Sequence, residues 1–165
     1  MSGERAPDRL ILCRRLRGGE AAYPAAEARF RPAAYGLAIR GREVLLGVSA
    51  FSGLLDIPGG AVHPWESLAE GLAREFEEET GVRPAAVAGE PCAFAEGWFA
   101  IFDHPYRSLR FYFRVTLPEG AEAHLRPQLA EVIALRWVEP ETEPDSAFAS
   151  GDRALLLRAL QTQAR

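Results

Sequence analysis

The chain contains no lysine and no asparagine, only one methionine and two cysteines, and no apolar run near the ~18 residues that cross a bilayer. Each scarcity excludes something. Cys13 and Cys92 are too few for a disulfide framework and lack CxxC spacing, so a reducing compartment, the cytoplasm, is expected. The apolar stretch Leu10-Ile11-Leu12-Cys13 between arginines is too short for a signal-peptide core. Without lysine, all 19 basic residues are arginine; beside the Ala, Gly and Pro load this reflects a GC-rich genome and says nothing about function. A positive excess is missing too. The net charge of −4 argues against general nucleic-acid binding through phosphate neutralisation, and no membrane partner is expected.

What is present is ordinary for a globular protein: 165 residues, 48% hydrophobic and 25% charged, enough chain for one domain and a full core. Residues 1–31 form the least legible part. Arg5, Arg9, Arg14, Arg15 and Arg17 surround the short apolar stretch, with Glu4, Asp8, Glu20 and Glu27 diluting the charge. An edge strand plus loop, or an arm packing on a second subunit of a homodimer, are the readings. Residues 32–165 read as the domain proper. Ala34–Ile39 and Val44–Val48 make a hairpin around Gly41-Arg42, and Leu54–Ile57 is a short extended piece stopped by Pro58-Gly59-Gly60. Glu66–Thr80 is a helix with Leu68, Leu72 and Phe76 on one stripe and Gly81 as its stop. Ala85–Phe94, Trp98–Phe102, Leu109–Leu117 and Glu131–Val138 are strand candidates, and Asp152–Gln163 is a closing amphipathic helix. The pattern predicts an α/β fold, a mixed sheet between helices.

Chemistry concentrates on the central helix. Glu75, Glu78 and Glu79 stand at i, i+3 and i+4, so like charges share one face near the C-terminal end, where the helix dipole also disfavours anions. A hard divalent cation removes that conflict, because Mg²⁺ takes one or two carboxylates with waters and phosphate oxygens. Gly59-Gly60 precede the helix by a short loop, a geometry in which phosphate approaches backbone closely. Arg74, four residues before Glu78, can hold a carboxylate in place.

Gly60, Glu66, Arg74, Glu75, Glu78, Glu79 and Gly81, with Phe76 and Val82 at two apolar places, match without a gap the signature GX5EX7REUXEEXGU, U being a bulky apolar residue. In this the chain resembles the Nudix hydrolase family. The resemblance implies an α/β/α sandwich and hydrolysis of a pyrophosphate bond in a nucleoside diphosphate linked to another moiety, with Mg²⁺ or Mn²⁺. Carried onto this sequence, Glu75, Glu78 and Glu79 bind metal, and the carbonyl of Gly59 or Gly60 is a further ligand. Glu75, Glu78 or a carboxylate outside the motif helps deprotonate water. Arg74 orients a glutamate, and Glu66 supports the loop–helix joint. A small residue commonly precedes the glutamate at position 66; here His63-Pro64-Trp65 fills the loop.

Outside the motif, Trp98, Phe99 and Arg110 are substrate-binding candidates, as aromatics that stack a base and an arginine that meets phosphate, and Glu131 is a candidate extra carboxylate. No substrate subclass is marked. A (deoxy)nucleoside triphosphate or a damaged form of one is preferred over ADP-ribose, nucleotide-sugar or dinucleoside polyphosphate substrates. The rival from another class is a non-catalytic nucleotide sensor.

Overall fold

Alternating apolar residues and short turns lay down ten strands and two helices among the residues described by the computed structural model, 9–15, 18–149 and 152–161. Of the positions named above, Glu4, Arg5, Asp8, Arg17 and Gln163 lie outside them. The strands are β1 (Leu10–Arg15), β2 (Glu20–Pro24), β3 (Arg29–Arg40), β4 (Glu43–Ser49), β5 (Leu55–Asp56), β6 (Gly59–Ala61), β7 (Ala86–Val87), β8 (Ala93–Ile101), β9 (His104–Thr116) and β10 (Val132–Val138). The helices are α1 (Leu68–Thr80) and α2 (Asp152–Gln161).

The sheet runs β10-β4-β3-β9-β8-β1-β2, with β5 on β4, β6 on β3 and β7 on β9. β3 lies parallel to β9 and β1 parallel to β8, while the other pairs are antiparallel, so the sheet is mixed. Leu72 and Phe76 of α1 bury against Ala34, Ala38, Phe113 and Val115. Leu155 and Leu156 of α2 bury against Leu37, Leu46 and Tyr112. Neighbours along β3 and β9 serve opposite clusters, so the two helices cover opposite faces, as expected for an α/β sandwich. From Ser108 to Val115 no residue of β9 is exposed, in keeping with a strand covered on both faces.

Two expectations need correction. α1 begins at Leu68, two residues after Glu66, because Ser67 caps it: Ser67 Oγ accepts from Glu70 N at 3.2 Å while Glu70 Oε2 accepts from Ser67 N at 2.8 Å. The strands expected at Ala85–Phe94 and Trp98–Phe102 are instead the two-residue β7 and the nine-residue β8, the latter crossing the gap between them. Gly97 carries no side chain to signal strand alternation, yet it pairs with Ser108 inside the ladder. Within residues 1–31, the described part forms the β1–β2 hairpin at the edge of the sheet, docked by β1 onto β8.

The β8–β9 turn is strained. Ile101 pairs with His104, leaving Phe102 (φ 47°) and Asp103 (φ 64°) as a two-residue loop with both residues left-handed. Such loops favour Asn-Gly, and an apolar residue held there costs ~1 kcal/mol or more. The Phe102 ring is 73% exposed, so little packing offsets that cost. Phe102→Asn is expected to raise stability by ~0.5–1 kcal/mol in urea denaturation; a lower midpoint would show that the ring has a packing role.

Candidate functional site

The site begins with two glycines pressed between a strand and a helix. Gly59 and Gly60 pair with Tyr35 and Ala34 of β3. Gly59 has φ 143°, and a Cβ there would stand 2.3 Å from the carbonyl oxygen of Ala34, so only glycine fits. A Cβ on Gly60 would stand 2.5 Å from Oε2 of Glu75. The carboxylates of α1 therefore reach the backbone of β6 through space that any side chain would fill. Glu79 Oε2 accepts a hydrogen bond from Gly59 N at 3.0 Å.

Arg74 organises the remaining acids. Its Nε and Nη2 donate to the two oxygens of Glu66 at 2.8 and 2.9 Å, and Nη2 also donates to the carbonyl of Ala61 at 3.0 Å. Its Nη1 donates to Glu75 at 2.7 Å and reaches Glu78 at 3.4 Å. Glu66 also accepts from His63 N at 2.9 Å, so it ties the loop to the helix through the guanidinium. Those bonds, Arg74 first, hold its carboxyl down to about 2 and push Arg74 the other way. Ahead of that joint, Trp65 is 79% exposed and stacks on His63 at 4.8 Å.

Glu79 is in the opposite electrostatic situation. Among the described residues it has no basic partner, and burial, reinforced by Asp56, Glu75 and Glu131, raises its carboxyl from 4.5 to about 8 against the single Gly59 bond. Asp152, 4% exposed in the first turn of α2, is also pushed up, foremost by burial, and Asp56, whose side chain is exposed on the cleft, is pushed up by desolvation from the protein around it. Arg110 opposes that rise in both. The sign of the linkage follows. A folded-state value above the ordinary one means the folded form keeps a proton that the unfolded chain releases, so this contribution to stability is lost as pH rises. For Glu79 the window is about 4.5 to 8. Without divalent metal, the melting temperature is expected to fall across that window, and Glu79→Gln should flatten the fall. Thermal melts in EDTA from about pH 5 to about pH 9 measure it; an unchanged slope in the variant would locate the effect in the two aspartates.

A cleft of about 760 Å³ brings together Gly59, Gly60, Glu75, Glu79, Trp98, Phe99, Arg110 and Glu131. Glu66, Arg74 and Glu78 do not line it; they stand behind Glu75, held by the guanidinium. Alternation along β8 separates the two aromatic candidates. Phe99 pairs with Tyr106 and stacks on it at 5.7 Å, on the face that also carries Ser108 and Arg110. Trp98 borders the cleft but packs against the cluster of Ile11, Cys13 and Ala100. Asp56, Asp152, Ser108, Arg31 and Tyr35 also line the cleft and were not picked out from sequence. For Tyr106, Ser108, Arg110 and Tyr112 the available signal was their period-2 spacing, which puts all four on one face.

The donors fit a hard cation in kind: all are oxygens, and the desolvated Glu79 lacks a counter-charge. Among the described residues no three acidic, histidine or cysteine side chains already converge on one point, since Arg74 holds Glu75 and Glu78.

Solved structures share this architecture. A NUDIX-family hydrolase from Clostridium perfringens superposes with a TM-score of 0.64 at 16% identity, over 80% of this chain and 97% of that one. A MutT NUDIX hydrolase from Burkholderia pseudomallei gives 0.62 at 17% identity, over 81% and 97%. A MutT protein from Methanosarcina mazei Go1 gives 0.56 at 26% identity, over 84% and 99%. No curated protein matches the sequence. The family model for the NUDIX domain matches residues 29–159, which take in the glycine pair, the Arg74 hub, all three clustered glutamates and the arginine-bearing strand β9, and the chain belongs to the Nudix hydrolase family.

Proposed function

We propose that the protein hydrolyses a pyrophosphate bond in a nucleoside diphosphate linked to another moiety, with a (deoxy)nucleoside triphosphate or its damaged form as the preferred substrate. The observation that carries this reading is the uncompensated Glu79 carboxyl, desolvated against the Gly59 backbone in the same cleft as Phe99 and Arg110. Glu75, Glu78 and Glu79 hold Mg²⁺ or Mn²⁺ together with the carbonyl of Gly59 or Gly60. When bound, the cation polarises phosphoryl oxygens and acidifies water. The chain's own residues do the rest. Arg74 fixes the direction of Glu75, and Glu66 fixes Arg74. Deprotonation of the attacking water falls to Glu75 or Glu78. Phe99 and Arg110 grip the part of the substrate that does not react, and Glu131 stands at the rim as a further acid. The β1–β2 hairpin extends that grip by adding Leu12 and Arg14 to the cleft.

A panel of nucleoside triphosphates, ADP-ribose, nucleotide sugars and dinucleoside polyphosphates, assayed for product with Mg²⁺ and Mn²⁺, tests the proposal. No turnover on any member, with nucleotide still bound, would favour the non-catalytic sensor. The two aromatics give a finer check. Phe99→Ala is expected to raise KM several-fold with kcat little changed, the signature of lost uniform binding. Trp98→Ala is expected to lower stability by ~3 kcal/mol and to leave the kinetics of the folded fraction intact. Exchange of these two outcomes would reverse the assignment.

A further inference from the structure

One row of side chains on the cleft floor is left unexplained by metal binding or by stacking. Ser108 is 1% exposed and lines the cleft, and among the described residues its Oγ has no hydrogen-bond partner. A buried hydroxyl left unpaired is costly, so a group that arrives later and accepts its proton is the economical explanation. Its ladder neighbours are Arg31 on β3 and Gly97 on β8. The arginine two residues on, Arg110, lies over Gly97: a Cβ there would stand 4.0 Å from Nη2. Neither Arg31 nor Arg110 makes a hydrogen bond or an ion pair among the described residues; Arg31 only covers the Phe99 ring at 5.5 Å. Arg40, Arg74, Arg107 and Arg153 each hold a carboxylate, whereas Arg14, Arg29 and Arg126 show no ion pair among the described residues; what sets Arg31 and Arg110 apart is the buried, unpaired hydroxyl beside them. Asp56 and Asp152 share the cleft with Arg110, but neither makes a hydrogen bond or an ion pair with it among the described residues.

We propose that Ser108, Arg31 and Arg110 form an oxyanion subsite that takes a phosphate or carboxylate group carried on the non-reacting part of the substrate. The two guanidinium groups offer donors only and the hydroxyl can donate with them, and two positive charges in a half-buried setting call for an anion rather than a neutral ring edge. It is also a separate place from the glutamate cluster. Tyr35, opposite Gly59, is four residues along β3 from Arg31, which at ~3.3 Å per residue is ~13 Å. One phosphate cannot touch both Arg31 and the glutamate cluster, while Arg110, opposite Ala33, stands between the two ends. The proposal deepens the hydrolase reading and rests on that reading's use of this cleft.

Metal-free protein separates the two sites, because without a cation the glutamate end repels anions. In EDTA, inorganic phosphate binding followed by calorimetry is expected to be saturable. It should weaken ~10-fold or more in Arg31→Gln or Arg110→Gln and several-fold in Ser108→Ala. Arg83→Gln, which removes the same charge from a surface pair with Glu77, should leave it unchanged. Ser108→Ala should melt no lower than the parent, since it removes an unpaired buried hydroxyl. Acetate competing with phosphate on equal terms identifies a carboxylate as the natural group, and acetate failing to compete identifies a phosphate. No saturable phosphate binding, or equal affinity in well-folded Ser108→Ala and Arg110→Gln, overturns the proposal. Failure of the hydrolase reading looks different: phosphate binding intact, with no turnover on any nucleotide.

Discussion

Glu79→Gln is expected to lose at least ~10²-fold in turnover at saturating Mg²⁺ while remaining folded. The amide keeps an oxygen that can accept from Gly59 N, so the local backbone has no reason to move. What disappears is the charge, and only the charge repays the desolvation of this side chain once a cation arrives. The variant should therefore also lose the metal-induced rise in melting temperature, which for a site at ~100 times its dissociation constant corresponds to about 2.7 kcal/mol. Glu78→Gln is expected to match the loss in turnover but not the change in metal-free melting, because its side chain is 44% exposed and carries less burial cost. Steady-state kinetics and melts of both variants check this. Parent-like turnover in Glu79→Gln would remove that residue from the metal site.

The second large effect belongs to Arg74. One guanidinium engages Glu66 through both oxygens, Glu75, Glu78 and the Ala61 carbonyl, so its loss frees the loop–helix joint and two of the three clustered acids together. Arg74→Met should lower activity ~10–100-fold and weaken metal affinity, as removal of groups that orient metal ligands generally does. It should also lower the melting temperature, because Glu66 and Glu75, 13% and 19% exposed, are left near one another without a cation. Arg74→Lys is the informative control. Lysine keeps the charge but lacks the planar fork, so little activity should return. Full recovery in the lysine variant would mean that charge balance matters and geometry does not.

The acidic helix and the glycine pair were legible because their meaning is local. Glu75, Glu78 and Glu79 share a face through helix periodicity alone, whereas the expected start at Glu66 overlooked the Ser67–Glu70 capping box that sets the helix start at Leu68. What stayed hidden was set by distant pairing. Asp56 and Asp152 meet only because α2 packs back over β5, and nothing near either residue in sequence announces the other. Ser108 looks like any strand serine until β3 and β8 supply its neighbours. The β8–β9 turn was missed because Phe102-Asp103 is not a turn dipeptide; the ladder on either side imposes its shape. Trp98 and Phe99, adjacent in sequence, could be told apart only once the cluster behind Trp98 was in place.

The parallel pairing of β3 with β9 has a consequence for how the protein comes into being. Its ten-residue register opens with Arg29 against Tyr106, 77 positions apart (106 − 29). Contacts of such separation must be reached by closing a long loop before they contribute, which places folding toward the slow end for a small mixed domain. On a ribosome adding ~5–20 residues per second, β3 waits ~4–15 s for its partner. Through that interval α1 can form on its capping box, yet the sheet face it covers is incomplete and the floor of the cleft does not exist. Chaperone dependence during synthesis, and a refolding rate that slows when β9 is weakened but not when the α1 cap is removed, are the kinetic signatures this topology should leave.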